Sequence, residues 1–419
     1  MTYIEIMGGR KLNGEVNIQG SKNTVLPILA ATLLINGITK LDHCPKILDV
    51  EHMIKILIEI GCSVTWEDSS IIVDTRGLNT EIVPTELVKK MRSSIILLGA
   101  LLGRSHRAVV SYPGGCTIGA RPINFHLAAF QKMNVALEEE DGLVKCVTDG
   151  IKGADIYFPS PSVGATENVI LAGTLGSGKT RIFNAAREPE ILELCKFLNS
   201  AGAKIYGAGT SRIEIEGVAS LHQTEYSATS DRIVAGTYLA ATAGTGGEVT
   251  LKGIGCGSLS TVIETLRKMG SYIKCGQDSI TIYSNGSITA IPEIKTAPYP
   301  GFPTDMQSQI MSVLMKASGS SKIVEEIFEG RYQNVPEQAR FGAQICLQDR
   351  EAYITGVPAL KASEVSAGEL RGGAALVIAG LMAEGKTIVK NPYHIQRGYE
   401  DICRDLRTLG AQIEYKEEI

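Results

Sequence analysis

Hydrophobic positions along the chain recur in one setting: an apolar run at i, i+4 and i+7, then a glycine or polar turn, then a strand. "HMIKILIEIGCSV" places Met53, Leu57 and Ile60 in this way, and "EILELCKFLNSAGAKI" places Ile191, Cys195 and Leu198. "VIETLRKMGSYI" repeats it with Val262, Leu266 and Met269, and "DICRDLRTLGAQI" with Ile402, Leu406 and Leu409. "HLAAFQKMNVAL" and "EQARFGAQI" are weaker copies. With the turn residue as marker, the copies fall at Gly61, Asn134, Gly202, Gly270, Gly342 and Gly410, at intervals of 73, 68, 68, 72 and 68 residues. A second element keeps the same beat: "LAATLLINGITKL", "LGALLGRSHRAVV", "LAGTLGSGKTRI", "LAATAGTGGEVTL", "VLMKASGSSKIV" and "IAGLMAEGKTIV". Each predicts a helix of small residues ending in a turn that feeds a strand.

This repeat decides how "GTLGSGKT" is read. Residues 173 to 180 fit the phosphate-loop pattern G-x-x-x-x-G-K-[ST], with Gly173, Gly178, Lys179 and Thr180 in place. That pattern cradles phosphate only where a strand enters the glycines and a helix leaves them. Here the order is reversed, helix first and "TRIFNA" strand after, so Gly178 is expected as a helix C-cap and Lys179 as a surface charge.

Six copies of about 70 residues form either one solenoid or two three-repeat domains. Solenoid repeats usually span about 20 to 50 residues, so two compact domains of about 200 residues fit better, with a boundary near "LHQTEYSATSDR" and a cleft between them as a natural ligand site.

At 419 residues and 44% hydrophobic the chain can bury large cores, and Lys+Arg 41 against Asp+Glu 45 leaves a net charge of -4. Nothing in that balance points to nucleic acid or a membrane surface, so an anionic ligand would need local cations. The start "MTYIEIMGGRK" lacks signal-peptide features. The longest uncharged stretch, "NTVLPILAATLLINGIT", has 17 residues with a proline and two asparagines, against a membrane span. Nine scattered cysteines with no C-x-x-C pair, and no metal-ligand spacing with the six histidines, read as free thiols in a reducing cytoplasm.

Residues that break the repeat are the candidates for chemistry. "PGGCTIGARP" is a glycine-rich loop carrying Cys116 with Arg121, a setting that lowers a thiol pKa; the plainer reading is one more core cysteine. "GSKNT" places Lys22 and Asn23 just before the first apolar helix, suited to an anion or to simple capping. Arg92, Arg121, Arg331, Arg371 and Arg397 stand in uncommon contexts, each by itself a solvated charge and together a site for a small anion. "APYPGFPTDMQ" ends in Asp305, either a helix cap or a fixed general base.

From "IMGGRKLNGEVNIQGSKN" to "YHIQRGYEDICRDLRTLGA" the sequence resembles the UDP-N-acetylglucosamine enolpyruvyl transferases, and "GGCTIGARP", "SVGAT", "NAAREPEI", "FPTDMQ" and "HIQRGYE" together carry the resemblance. It implies a two-domain inside-out α/β barrel of six βαβαββ repeats with the active site in the interdomain cleft. It also joins the N-terminal strand to the second half, giving domains of residues 22–229 and of 1–21 plus 230–419. The implied reaction moves the enolpyruvyl group of phosphoenolpyruvate to the 3-hydroxyl of UDP-N-acetylglucosamine by addition and elimination, with no metal or organic cofactor, as the first committed step of peptidoglycan synthesis.

By the same resemblance Lys22, Arg121 and Arg397 hold the phosphate of phosphoenolpyruvate, Arg331 and Arg371 its carboxylate, and Asp305 takes the sugar hydroxyl proton. Cys116 is implied as proton donor or covalent acceptor and as the target of fosfomycin, which members with Asp there escape. Nucleotide-sugar contacts are implied for Asn23, Arg92, Arg121, Pro122, Asn124, His126, Ser162, Val163, Gly164, Asp305 and Ile327; His126 also fits a plain helix-start position. Departures are Asn124 and Glu369 for a usual Asp, Ser160 where some members have Lys, and Ile96 where some have Trp. Rival readings are the shikimate-pathway enolpyruvyl transferase, against which the cysteine loop and "SVGAT" speak, and a non-catalytic binding protein on the same fold.

Overall fold

The six marker residues all take a left-handed backbone: φ is 102° at Gly61, 69° at Asn134, 101° at Gly202, 106° at Gly270, 83° at Gly342 and 91° at Gly410. Each donates its N–H to the carbonyl three residues earlier, closing the last turn of a helix. Cys62, Val135, Ala203, Ser271 and Ala411 then donate to the carbonyl five residues before them. This pairing of bonds satisfies the orphan carbonyls at a helix end and turns the chain toward the next strand. The periodicity in the sequence is therefore a periodicity of helix stops, and glycine dominates it because an L side chain resists positive φ.

In the computed structural model, which describes residues 2–114, 118–119 and 122–417, the chain forms two compact units. One, here the Asp305 unit, gathers the chain up to residue 19, Ile118, Gly119 and everything from residue 230 onward. The other, the Lys22 unit, holds the described residues between 20 and 229 that remain. Each encloses its own apolar core, around Leu29, Leu101 and Leu171 in the Lys22 unit and around Tyr238, Met311 and Val377 in the Asp305 unit.

The Lys22 unit contains the sheet Thr224–Ser227, Ile38–Asp42, Ser70–Asp74, Ser63–Glu67, in that order, with the first pair parallel and the others antiparallel. The same scheme of one parallel and two antiparallel pairings recurs in the Asp305 unit, where Leu12–Asn17 lies parallel to Gly247–Lys252. Thr2–Met7 pairs there with both Lys386–Lys390 and Gln412–Glu417. Strand burial alternates, as in Thr2–Met7 with Ile4 and Ile6 inward, so the sheets are wet on one face.

The second repeated element forms helices buried almost all round, including Leu97–Ser105, Val163–Thr174, Arg232–Thr245 and Leu370–Met382. Such helices occupy the centre of a core rather than its edge. Small residues let them touch: a Cβ on Gly236 would lie 2.7 Å from the Met306 sulfur.

Two expectations are corrected. Around "GTLGSGKT" the helix ends at Thr174 and the strand Lys179–Phe183 follows, but the cap residue is Leu175 at φ -102°, while Gly178 at φ 82° belongs to the turn after it. Lys179 is a surface charge as expected, at the start of that strand, and its Nζ pairs with Glu214 at 3.0 Å and Glu216 at 2.7 Å. The cysteines are not all free thiols: Cys256 and Cys275 form a disulfide. Their 19-residue separation hides the fact that a short helix and a return strand bring their Cα atoms to 5.9 Å. Cys44, Cys146, Cys195 and Cys403 are buried, and desolvation pushes each thiol up to about 12. Among the described residues no helix is long and apolar enough to cross a membrane.

Candidate active site

In the Asp305 unit the proline-rich stretch before residue 304 ends in the single turn Thr304–Met306, which runs into the helix Gln307–Leu314. Asp305 makes no side-chain cap on that helix, so the capping alternative is overturned. Its carboxylate is gripped instead by two guanidinium groups. Oδ1 accepts from Arg331 Nη2 at 2.6 Å, and Oδ2 accepts from Arg371 Nη2 at 2.9 Å and Nε at 3.2 Å. The arginine side chains are 2% and 4% exposed and that of Asp305 is 27% exposed, so the acid is the most accessible member of the trio.

Local structure fixes each arm. Arg331 opens the turn Arg331–Asn334 and donates Nε to Thr304 Oγ1 at 3.1 Å, and Thr304 donates in turn to Glu325 at 3.0 Å. Glu325 is fully buried and its other oxygen accepts the backbone N–H of Ile327 and Phe328, which shapes the half-buried Ile327 segment. Arg371 sits in the first turn of Leu370–Met382, whose cap Glu369 accepts from the N–H groups of Arg371 and Gly372. Glu369 also stands 3.7 Å from Arg331 Nη1. Its longer side chain thus reaches both a helix cap and a guanidinium.

Burial disfavours the charged form of Arg371, but Asp305, Tyr399 and Asp231 outweigh it and hold the guanidinium above its ordinary range. Tyr399 is fully buried and shares a 2.7 Å hydrogen bond with Thr237. Arg397 is also buried, just after the short helix Tyr393–Gln396. Desolvation and then the Arg397 charge keep His394 below the usual imidazole range.

The Lys22 unit is built differently. Lys22 is the first residue of the helix Lys22–Ala31 rather than a residue before it, and Ser21 is the cap, accepting from Thr24 N–H. Its Nζ donates to Asp49 Oδ2 at 3.0 Å; the lysine side chain is 14% exposed and the aspartate 2%. Asp49 lies in the first turn of Leu48–Glu59, where the helix dipole favours a carboxylate. Asn23 and Arg92 are half-buried, Arg92 at the start of the turn Arg92–Ile96.

Ser162 caps Val163–Thr174 by accepting from Ala165 N–H, leaving Val163 and Gly164 in the first turn of a twelve-residue helix. Pro122 and Asn124 are exposed, the latter at the start of Asn124–Lys132. His126 is buried with Nδ1 2.7 Å from Asn168 Nδ2. Because Asn168 Oδ1 accepts from Gly99 N–H, its Nδ2 is the donor, His126 Nδ1 accepts, and the ring proton resides on Nε2. His126 thus ties its helix to Val163–Thr174, with its ring 3.1 Å from where a Cβ on Gly164 would stand. Cys116 and Arg121 lie outside the described residues.

The structure therefore brings Asp305, Arg331 and Arg371 into direct contact, seats Ile327 on the loop held by Glu325, and pairs Lys22 with Asp49. Sequence reading missed Asp49, Thr304, Glu325, Asn168 and Tyr399. The one signal open to it was Asp49, an acid at a helix start like those that favour first turns; Thr304, Glu325, Asn168 and Tyr399 each bond to a side chain 21 or more residues away in sequence.

Comparison with known proteins gives three findings. Residues 6–416 match the family model EPSP synthase (3-phosphoshikimate 1-carboxyvinyltransferase). The chain is 48% identical over 413 residues, 99% of each chain, to UDP-N-acetylglucosamine 1-carboxyvinyltransferase 2 of Caldanaerobacter subterraneus. It is 44% identical, over 97% of this chain and 98% of its relative, to UDP-N-acetylglucosamine 1-carboxyvinyltransferase of Acinetobacter baylyi. Among solved structures it resembles the enolpyruvyl transferase NikO from Streptomyces tendae, with a TM-score of 0.90 at 25% identity over 99% of both chains. It also shares the fold of EPSP synthase from Acinetobacter baumannii, with a TM-score of 0.75 at 17% identity over the whole of both chains.

Proposed function

The chain belongs to the EPSP synthase family of enolpyruvyl transferases, and from that membership we propose that it is a UDP-N-acetylglucosamine 1-carboxyvinyltransferase, supplying the first committed step of peptidoglycan synthesis in the cytoplasm. The observation that carries this reading is the near-complete alignment at 48% identity with a relative of that name, joined to an acid held between two buried arginines.

The chemistry needs three things. The 3-hydroxyl of the sugar must lose its proton as its oxygen attacks C2 of phosphoenolpyruvate, C3 must gain a proton, and the tetrahedral ketal must then expel phosphate while C3 gives a proton back. Asp305 is the base for the hydroxyl, and Cys116 the acid or covalent partner in its loop. Arg331 and Arg371 present rigid forks that match a carboxylate. Lys22, Arg121 and Arg397 carry the phosphate, whose departure is eased by the same cations. Asn23, Arg92, Pro122, Asn124, His126, Ser162, Val163, Gly164 and Ile327 serve the nucleotide sugar, the first-turn N–H groups of Val163 and Gly164 suiting its diphosphate. Side chains suffice for every step, and no organic cofactor is needed.

The architecture we propose is two inside-out α/β domains of three βαβαββ units each, residues 22–229 and 1–21 with 230–419. The shared sheet scheme and the six left-handed helix stops support it. Phosphate release from phosphoenolpyruvate, with and without UDP-N-acetylglucosamine and after fosfomycin, tests the function. Release that requires the sugar nucleotide and stops on alkylation is expected, and Cys116→Asp should keep turnover while escaping the epoxide. Well-folded protein that releases none would refute the assignment, and release driven by shikimate-3-phosphate instead would move it to the rival substrate.

A further inference from the structure

Resting on the reading above, we propose that Asp305 is an internal stand-in for the substrate carboxylate. Its two oxygens occupy the guanidinium edges of Arg331 and Arg371 that the carboxylate of phosphoenolpyruvate takes, and binding exchanges one carboxylate for the other. The exchange turns substrate arrival into the event that releases Asp305 to act as a base.

The geometry favours an exchange over a fixed brace. Both arginines are almost wholly buried, and a buried guanidinium left without a counter-charge is strongly destabilising. Some carboxylate must therefore stay on them at every stage. Asp305 is the accessible partner, carried on the single turn Thr304–Met306. Arg331 Nε and the Glu369 cap belong to the scaffold and stay in place. A carboxylate for a carboxylate keeps the local charge constant, whereas a neutral ligand would cost Arg371 its ion pair and leave Arg331 with only Glu369 at 3.7 Å.

The same corner also holds donors that Asp305 leaves unused. Arg371 Nη1 is buried without a well-formed hydrogen bond, and the Tyr399 hydroxyl beside the guanidinium feels it both as a charge and as a weak donor. Both polar atoms of the Asn334 amide are buried without a partner. Asn334 reaches this corner because residue 372 is glycine; a Cβ there would lie 2.8 Å from that of Asn334. Leaving such groups unsatisfied is costly, and a second anion oxygen arriving beside Arg371 is the natural acceptor for Arg371 Nη1 and Asn334 Nδ2.

A stand-in makes a prediction of unusual sign. Removing the charge of a catalytic acid should tighten substrate binding while abolishing turnover. Phosphoenolpyruvate and, separately, inorganic phosphate are titrated calorimetrically into the full-length wild type, Asp305→Asn and Asp305→Ala, with thermal melting to confirm folding. The expected result is about tenfold tighter phosphoenolpyruvate in both variants, with phosphate affinity unchanged. Equal or weaker phosphoenolpyruvate binding in a folded variant overturns the proposal, as does equal tightening of inorganic phosphate, which would mark a general charge effect. Should neither variant fold, infrared difference spectroscopy of the wild type with carboxylate-labelled aspartate decides the matter. A shifted carboxylate stretch on phosphoenolpyruvate binding supports the exchange, and an unchanged one sinks it. Loss of phosphate release by the wild type would instead refute the underlying function.

Discussion

The Asp305 unit and the Lys22 unit answer the same electrostatic problem in different ways. In the first, two buried arginines share one half-open aspartate through three hydrogen bonds. In the second, one partly exposed lysine leans on a wholly buried aspartate. The accessible partner is the acid in one case and the base in the other. The accessible member of the arginine cluster is thus the carboxylate, and that of the other pair is the cation. The difference teaches that charged residues reveal little about their roles until it is known which member of each pair is anchored.

The largest effect should come from breaking the anchored side of the first cluster. Arg371→Ala removes a fork and leaves Asp305 with Arg331 alone, and should cut kcat/KM for phosphoenolpyruvate by about a hundredfold to a thousandfold, with Arg371→Lys intermediate because it keeps charge but not the fork. Turnover within threefold of wild type in steady-state assays would mean the cluster is scaffold only.

A smaller loss is expected from Asp49→Asn. It removes the charge partner 3.0 Å from Lys22 Nζ, and a charge-assisted hydrogen bond of roughly 1.5–3 kcal/mol corresponds to about a tenfold to hundredfold fall in kcat/KM. Unchanged kinetics would show that Lys22 needs no orienting partner.

A third contrast concerns stability. Glu167, fully buried in Val163–Thr174, has its carboxyl held well above the ordinary 4.5 by desolvation and then by Glu190 and Glu188. The folded state therefore keeps a proton that the unfolded chain loses, so this group's stability is complete below pH 4.5 and is lost as pH rises through the folded value. Glu167→Gln should melt about 2–4 °C higher than wild type at neutral pH, and the gap should close in scans taken toward pH 4.5. A gap that widens on acidification would reverse the assignment.

The smallest effect belongs to Lys179→Ala. Its pairs with Glu214 and Glu216 are exposed, so the melting temperature should barely change, and phosphate release should be untouched. A nucleotide-hydrolysis activity lost with Lys179 would revive the phosphate-loop reading.

Much of the fold was legible because its punctuation is local. Gly61, Gly202, Gly270 and Gly410 are helix stops that any single repeat could reveal, and the apolar spacing before them reports one buried face. The N-terminal strands were not legible from period alone, since Thr2–Met7 pairs with strands nearly the whole chain away. Nor was the disulfide, which depends on a helix and a return strand meeting. In the site, Asp305, Arg331 and Arg371 stood out as residues in unusual contexts, but their convergence joins positions separated by up to 66 residues. Glu325 and Asn168 were invisible because a buried polar residue is recognised only by its partners.

Transfer of an enolpyruvyl group to the sugar is the central claim, and proton NMR of the full reaction mixture tests it most directly. Two vinyl methylene protons are expected on a product bearing the sugar nucleotide, appearing in one-to-one proportion with released phosphate. Phosphate accompanied by free pyruvate and unaltered UDP-N-acetylglucosamine would contradict it.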